Sequence, residues 1–139
     1  MAAREFEIGV CYGPVSHDGV QAERLATGEL ICVLPRDHPL ARKKTLTATD
    51  PAGECLISCD AQDILRGKVD RLFAAANQVP RFAVQVGQSI TAIRLAQLGV
   101  GMAIVEPFYF AAMRPPGLVG RPLRRGAGRA GSSRCSRGS

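Results

Sequence analysis

The chain has 139 residues, 46% of them hydrophobic, which suits one compact domain or two small lobes. No apolar run approaches the roughly 20 residues that cross a bilayer, and the N-terminal MAAREFE carries acids where a signal peptide needs an apolar core. A cytoplasmic protein without a membrane partner is therefore expected.

The net charge of +6 points to nucleic acid only until it is mapped. All 12 acids lie within residues 1–120, where 12 of the 18 Lys and Arg balance them. The excess is Arg121, Arg124, Arg125, Arg129, Arg134 and Arg137, set among Gly and Ser, so the pI describes a basic tail. Cys11, Cys32, Cys55, Cys59 and Cys135 are odd in number and contain no CxxC pair. They read as reduced thiols, and neither a metal nor a cofactor is expected.

Phe6, Ile8 and Val10 alternate with Glu5, Glu7 and Gly9, predicting a first strand that Gly13-Pro14 ends. Ser16-His17-Asp18-Gly19 is turn composition, since sequence neighbours rarely converge as a catalytic triad. Val20 to Leu25 and Glu29 to Leu34 read as two strands, joined as a hairpin through Ala26-Thr27-Gly28. Residues 35–44 read as loop because of Pro35 and Pro39; Arg42-Lys43-Lys44 is a solvated run and His38 a structural loop histidine. Asp50-Pro51 predicts one or two helical turns.

Cys55 to Ser58 is a short apolar strand. A helix follows over about 61–76, with Ile64, Leu65, Val69, Leu72, Phe73 and Ala76 on one face, closed by Asn77. Phe82, Val84 and Val86 alternate as a strand; Ser89 is predicted to cap a helix ending at Gly99; Met102 to Val105 form another strand, stopped by Glu106-Pro107. Two overlapping βαβ units result, so the fold class is α/β with parallel strands. FYFAAM predicts a short helix, Pro115-Pro116-Gly117 a turn and Leu118 to Leu123 an extended run. Residues 124–139 have no apolar pattern and are expected to be a disordered basic tail.

Ligands of such units gather at the carboxyl ends of the strands. That edge holds Gly87, Gln88, Ser89, Ile90 and Thr91 at a helix N-terminus, with Glu106-Pro107 beside it, the outline of a site for a small anion or small polar ligand. Ser89 serves as a helix cap, a ligand contact or both, and Glu106-Pro107 as ligand contacts or plain strand terminators. The G-x-S-x-T turn also resembles a nucleophile elbow, but its last glycine is Thr91, and His17 and His38 both precede the serine.

LATGELICVLPRDHPLA (25–41), DPAGECLI (50–57), VDRLFAAA (69–76) and VGQSITAIRLAQLGVGMAIVEPF (86–108), in this order, resemble the C-terminal effector-binding (substrate-binding) domain of LysR-type transcriptional regulators. The resemblance implies a periplasmic-binding-protein-like (type II) lobe, with a mixed, mainly parallel sheet and flanking helices. It assigns residues 1–13 to the last strand of a first lobe, 14–113 to a second lobe and 114–123 to a strand returning towards the first, outside which neighbouring strands are missing. The helix-turn-helix and most of the first lobe are expected to be lacking, as in a fragment of a disrupted gene, so DNA is a partner only of a full-length regulator. Homo-oligomers are likewise implied for the full-length family. Carried over, the effector-binding residues are Ser58, Cys59 and Asp60, then Gln88, Ser89, Ile90 and Thr91, for a small carboxylate or amino-acid-like effector. Asp60 has the alternative role of capping the 61–76 helix. A serine hydrolase using Ser89, and nonspecific nucleic-acid binding by the arginine tail, are the alternatives; no enzyme is expected.

Overall fold

A computed structural model of the chain describes residues 18–19, 21–59 and 64–126. In order these form β1 (Ile31–Pro35), a 3-10 turn (Pro39–Arg42), β2 (Leu46–Thr47), β3 (Cys55–Cys59) and α1 (Ile64–Ala75). Then come β4 (Arg81–Val86), α2 (Ser89–Gln97), β5 (Met102–Val105), α3 (Pro107–Met113) and β6 (Leu118–Arg124). The strands make one six-stranded sheet in the order β2-β6-β1-β5-β3-β4. β3 pairs in parallel with both β4 and β5, and β2 pairs in parallel with β6, while β1 runs antiparallel to β5 and β6. The mixed, mainly parallel α/β sheet and both βαβ units are as the sequence predicts.

Helices cover both faces of the sheet, and this explains the unbroken apolar runs ICVL and MAIV. Cys32 and Leu34 of β1, Leu56 of β3 and Met102 and Ile104 of β5 pack with Val69 and Phe73 of α1. Ile31, Val33, Ile57, Ala103 and Val105 turn the other way, onto Ala92, Ile93 and Ala96 of α2. Each large side chain fully buried here, Leu34 and Phe73 among them, contributes about 1.5–3 kcal/mol. β4 lies at the sheet edge and alternates exposed with half-buried residues, the period-two pattern visible in its sequence.

Both long helices end in left-handed residues with two reversed bonds. Asn77 (φ 56°) closes α1 with Gln78 N donating to Phe73 O, and Gly99 (φ 87°) closes α2 with Val100 N donating to Leu95 O. Gly101 is required for a different reason: a Cβ there would sit 2.5 Å from the Cys55 carbonyl oxygen, so only glycine lets β5 start against β3.

Several expectations are overturned. Residues 21–30 form no strand, and Ile31 rather than Glu29 begins β1, so there is no hairpin through 26–28. The nine residues 21–29 are exposed. Pro39 starts a 3-10 turn instead of preventing one, because His38 caps it: His38 Nδ1 accepts from Leu40 N–H at 3.0 Å, leaving Nε2 to face Glu54 Oε1 at 3.2 Å. Asp50-Pro51 makes turns, not a helix. Its carboxylate accepts backwards, from Thr47 N–H at 2.8 Å and Lys43 Nζ at 2.7 Å, and so closes a turn behind it.

Arg124 belongs to β6, not to a tail, and β6 is hydrogen-bonded on both sides, by β1 and β2, where missing neighbours were expected. Arg121 donates to the Ala41 carbonyl from Nε (3.0 Å) and Nη2 (2.8 Å), and Arg124 makes a two-pronged pair with Glu29 at 2.5 and 2.7 Å. Two of the six arginines counted as tail are therefore structural. The predicted first strand, the start of the 61–76 helix and the tail from residue 127 lie outside the described residues.

Candidate functional site

The carboxyl ends of β3, β4 and β5 lie side by side, and α2 begins one residue beyond Gly87-Gln88. Gln88 is the N-cap of α2, extended at φ −142° and ψ 145°, with its carbonyl accepting from Ala92 N–H and its side chain making no cap bond. The expectation that Ser89 caps this helix is overturned: it is the first helical residue. Its hydroxyl is spent elsewhere, donating to Glu106 Oε2 at 2.5 Å, with both residues 7% exposed.

Glu106 is the N-cap of α3 and precedes Pro107 at its first position, but its carboxylate turns to Ser89 instead of capping α3. It is thus more than a strand terminator: it joins the start of α2 to the end of β5. The carboxylate is thus bonded to the first residue of α2, and a helix N-terminus favours negative charge through its unpaired N–H groups and dipole.

Ser58 stands at the end of the central strand, fully buried, and its Oγ has no hydrogen-bond partner among the described residues. Burying a hydroxyl without a partner costs about 1–3 kcal/mol, so its retention asks for an explanation. A bulge precedes it: Leu56 pairs with Phe82 but Ile57 with Val84, so β4 carries one extra residue and everything after it is re-aimed. By strand alternation Ser58 shares the α1 face with Leu56, while Ile57 and α2 occupy the other face.

The sequence-predicted residues therefore fall into two groups. Ser89 and Glu106 touch, with Gln88, Ile90 and Thr91 exposed around them. Ser58 sits on the strand between them and makes no hydrogen bond to that pair. Asp60 lies outside the described residues, and only the backbone of Cys59, the last residue of β3, is described. Sequence reasoning missed the Ser89–Glu106 bond, though the βαβ topology already placed both residues on one edge. The segment before β1 closes on the same region, since a Cβ on Gly28 would lie 2.5 Å from Pro107 Cγ. The concavity lined by Cys55, Arg81, Phe82 and Ala83 lies towards the amino ends of β3 and β4 and takes no part in this edge. Among the described residues no group of His, Cys, Asp and Glu is placed to hold a metal ion.

A family model for the LysR substrate binding domain matches residues 1–130. The chain belongs to this family. Among relatives of this LysR substrate-binding domain, the transcriptional activator protein LysR of Escherichia coli (strain K12) is 31% identical over 121 residues. That match takes in 87% of this chain and 39% of the relative, so the chain spans about two fifths of that regulator's length.

Solved structures agree on the fold. The effector binding domain of QuiR in complex with shikimate superposes with a TM-score of 0.63 at 23% identity, over 71% of this chain and 46% of that one. The BenM effector binding domain with its effector benzoate gives 0.60 at 18% identity, over 69% and 45%. The sheet and its flanking helices are thus those of a periplasmic-binding-protein-like effector lobe.

Proposed function

We propose that this LysR substrate-binding domain senses a small polar metabolite, carboxylate or amino-acid-like, through the carboxyl edge of β3, β4 and β5. Ser58, Cys59, Asp60, Gln88, Ser89, Ile90, Thr91, Glu106 and Pro107 form one wall of the site, and a second lobe of a longer regulator closes on it. The lobe spans about residues 14–113, and DNA binding and oligomer assembly belong to the full-length regulator, in the cytoplasm. No helix among the described residues is long and apolar enough to cross a membrane. The observation that carries the reading is the Ser58 hydroxyl, fully buried at a strand end without a hydrogen-bond partner among the described residues. Relatives that bind shikimate and benzoate support the class of ligand.

The alternatives gain no support. A nucleophile elbow presents an exposed serine oxygen to a histidine, whereas Ser89 Oγ is buried and donates to a carboxylate. Nonspecific nucleic-acid binding loses Arg121 and Arg124 to Ala41 and Glu29. The test is a thermal-shift screen of the chain against small carboxylates, amino acids and amines. A ligand at 100 times its Kd stabilises by about 2.7 kcal/mol, which raises Tm by several degrees. Ser58→Ala should weaken the response to a genuine hit. A screen in which only polyanions such as heparin or DNA raise Tm overturns the proposal.

A further inference from the structure

Residues 21–30 run up to β1 without helix or strand, and 21–29 are exposed. Such a segment stays in place only where something holds it. Gly28 and Glu29 supply such holds. Gly28 lies so close to α3 that a Cβ on it would stand 2.5 Å from Pro107 Cγ and 3.2 Å from Phe108 Cζ. One residue on, the Glu29 carboxylate accepts both prongs of Arg124, from Nε at 2.5 Å and Nη2 at 2.7 Å. Leu30 is already rooted in the sheet, its carbonyl accepting from Leu123 N–H at 2.8 Å. Arg124 ends β6, Pro107 follows β5, and β1 lies between those two strands. The ion pair and the packing contact thus reach out to opposite sides of β1.

We propose that residues 21–30 are a strap beside the effector edge, and that the Glu29–Arg124 pair is the latch that holds it against Pro107. The pair is two-pronged, the geometry in which an exposed ion pair has a measurable hold. Its side chains are also half exposed, 50% for Glu29 and 53% for Arg124, so water and salt compete for it and the latch opens readily. Releasing it frees Gly28 from Pro107, the residue after Glu106, and uncovers that side of the edge. The strap's place at a binding edge rests on the effector reading. The latch does not, and it can be tested without a ligand.

The test is NMR on the whole 139-residue chain, reading the NOE between Gly28 Hα and Pro107 Hγ and the amide shifts of Glu106 and Phe108. The wild type should show the NOE. Arg124→Gln and Glu29→Gln should each move the strap towards its open form by about two- to fivefold, the range of an exposed pair, weakening the NOE and shifting both amides. Salt at about 1 M, where the screening length is about 3 Å, should do the same to the wild type and little to Arg124→Gln. Exchanging the charges, Glu29→Arg with Arg124→Glu, should restore the NOE and both shifts. Gly28→Ala works from the other end: its Cβ lifts the strap off Pro107 and loosens the pair, so the Glu29 carboxyl should titrate nearer its ordinary range. Were a single variant not to fold, salt on the wild type reads the same equilibrium. An NOE that is absent from the wild type, that survives both single variants and high salt, or that stays lost after charge exchange overturns the inference. So does a Glu29 carboxyl unmoved by Gly28→Ala. The metabolite screen speaks only to the effector reading.

Discussion

Two serines on one edge should answer the same substitution with opposite signs. Ser58 Oγ is buried without a partner among the described residues, so the folded state bears a desolvation cost of about 1–3 kcal/mol that the unfolded chain does not. Ser58→Ala removes that cost and leaves a void smaller than a methyl group, so a gain of about 1 kcal/mol is expected, a rise of roughly 3–5 °C in Tm for a chain of this size. Ser89 Oγ instead donates to the Glu106 carboxylate, and a hydrogen bond to a charged group is worth about 1.5–3 kcal/mol. Ser89→Ala should therefore lower stability by about 2 kcal/mol. Ser89→Gly should do no better, because the serine is not the N-cap that glycine could replace. Urea unfolding followed by circular dichroism, with unchanged m, measures both. Loss of stability in Ser58→Ala would mean that its hydroxyl is satisfied within the protein, and a neutral Ser89→Ala would remove the pair that joins α2 to β5.

Burial pushes the Cys32 thiol up to about 12 from 9.0, with Asp50 adding to the shift. Since the folded value is the higher, its contribution is complete below pH 9.0 and is lost as pH rises towards 12. Unfolding free energy should fall by up to about 1.4 kcal/mol per pH unit in that window, with a shallower fall in Cys32→Ala. The exposed Cys55 should alkylate in the native chain while Cys32 waits for unfolding; equal rates would contradict the burial. Gly101→Ala drives a Cβ into the Cys55 carbonyl and should cost about 1–3 kcal/mol in urea unfolding, whereas Gly87→Ala, with open space around it, should be tolerated. The Arg124 guanidinium holds the Glu29 carboxyl below its usual range, and NMR titration of Arg124→Gln should find it raised.

The two βαβ units were legible because their signals are local and agree. The alternation of Phe82, Val84 and Val86, the helical spacing of Val69, Leu72 and Phe73, and Asn77 as a left-handed stop all recur in the structure. The failures came where a side chain reached back along the chain. Asp50 bonds Thr47 behind it, and His38 caps Leu40 ahead, so a predicted helical turn and a predicted loop exchanged characters. Residues 21–25 had strand composition but pair with no strand among the described residues. Arg121 and Arg124 looked like tail because composition cannot show that Ala41 and Glu29, some 80 and 95 residues away, would receive them. The site was legible as an edge. The Ser89–Glu106 bond was not, because it depends on which way two side chains turn once β4 and β5 flank β3.

The most direct test of the account is amide shift mapping of the chain with a hit from the metabolite screen. The account predicts saturable shifts at Ser58 and Cys59, at Gln88 to Thr91 and at Glu106, with the amino ends of β3 and β4 silent. Shifts centred on Cys55, Arg81 and Phe82 instead, with the carboxyl edge unmoved, would contradict it.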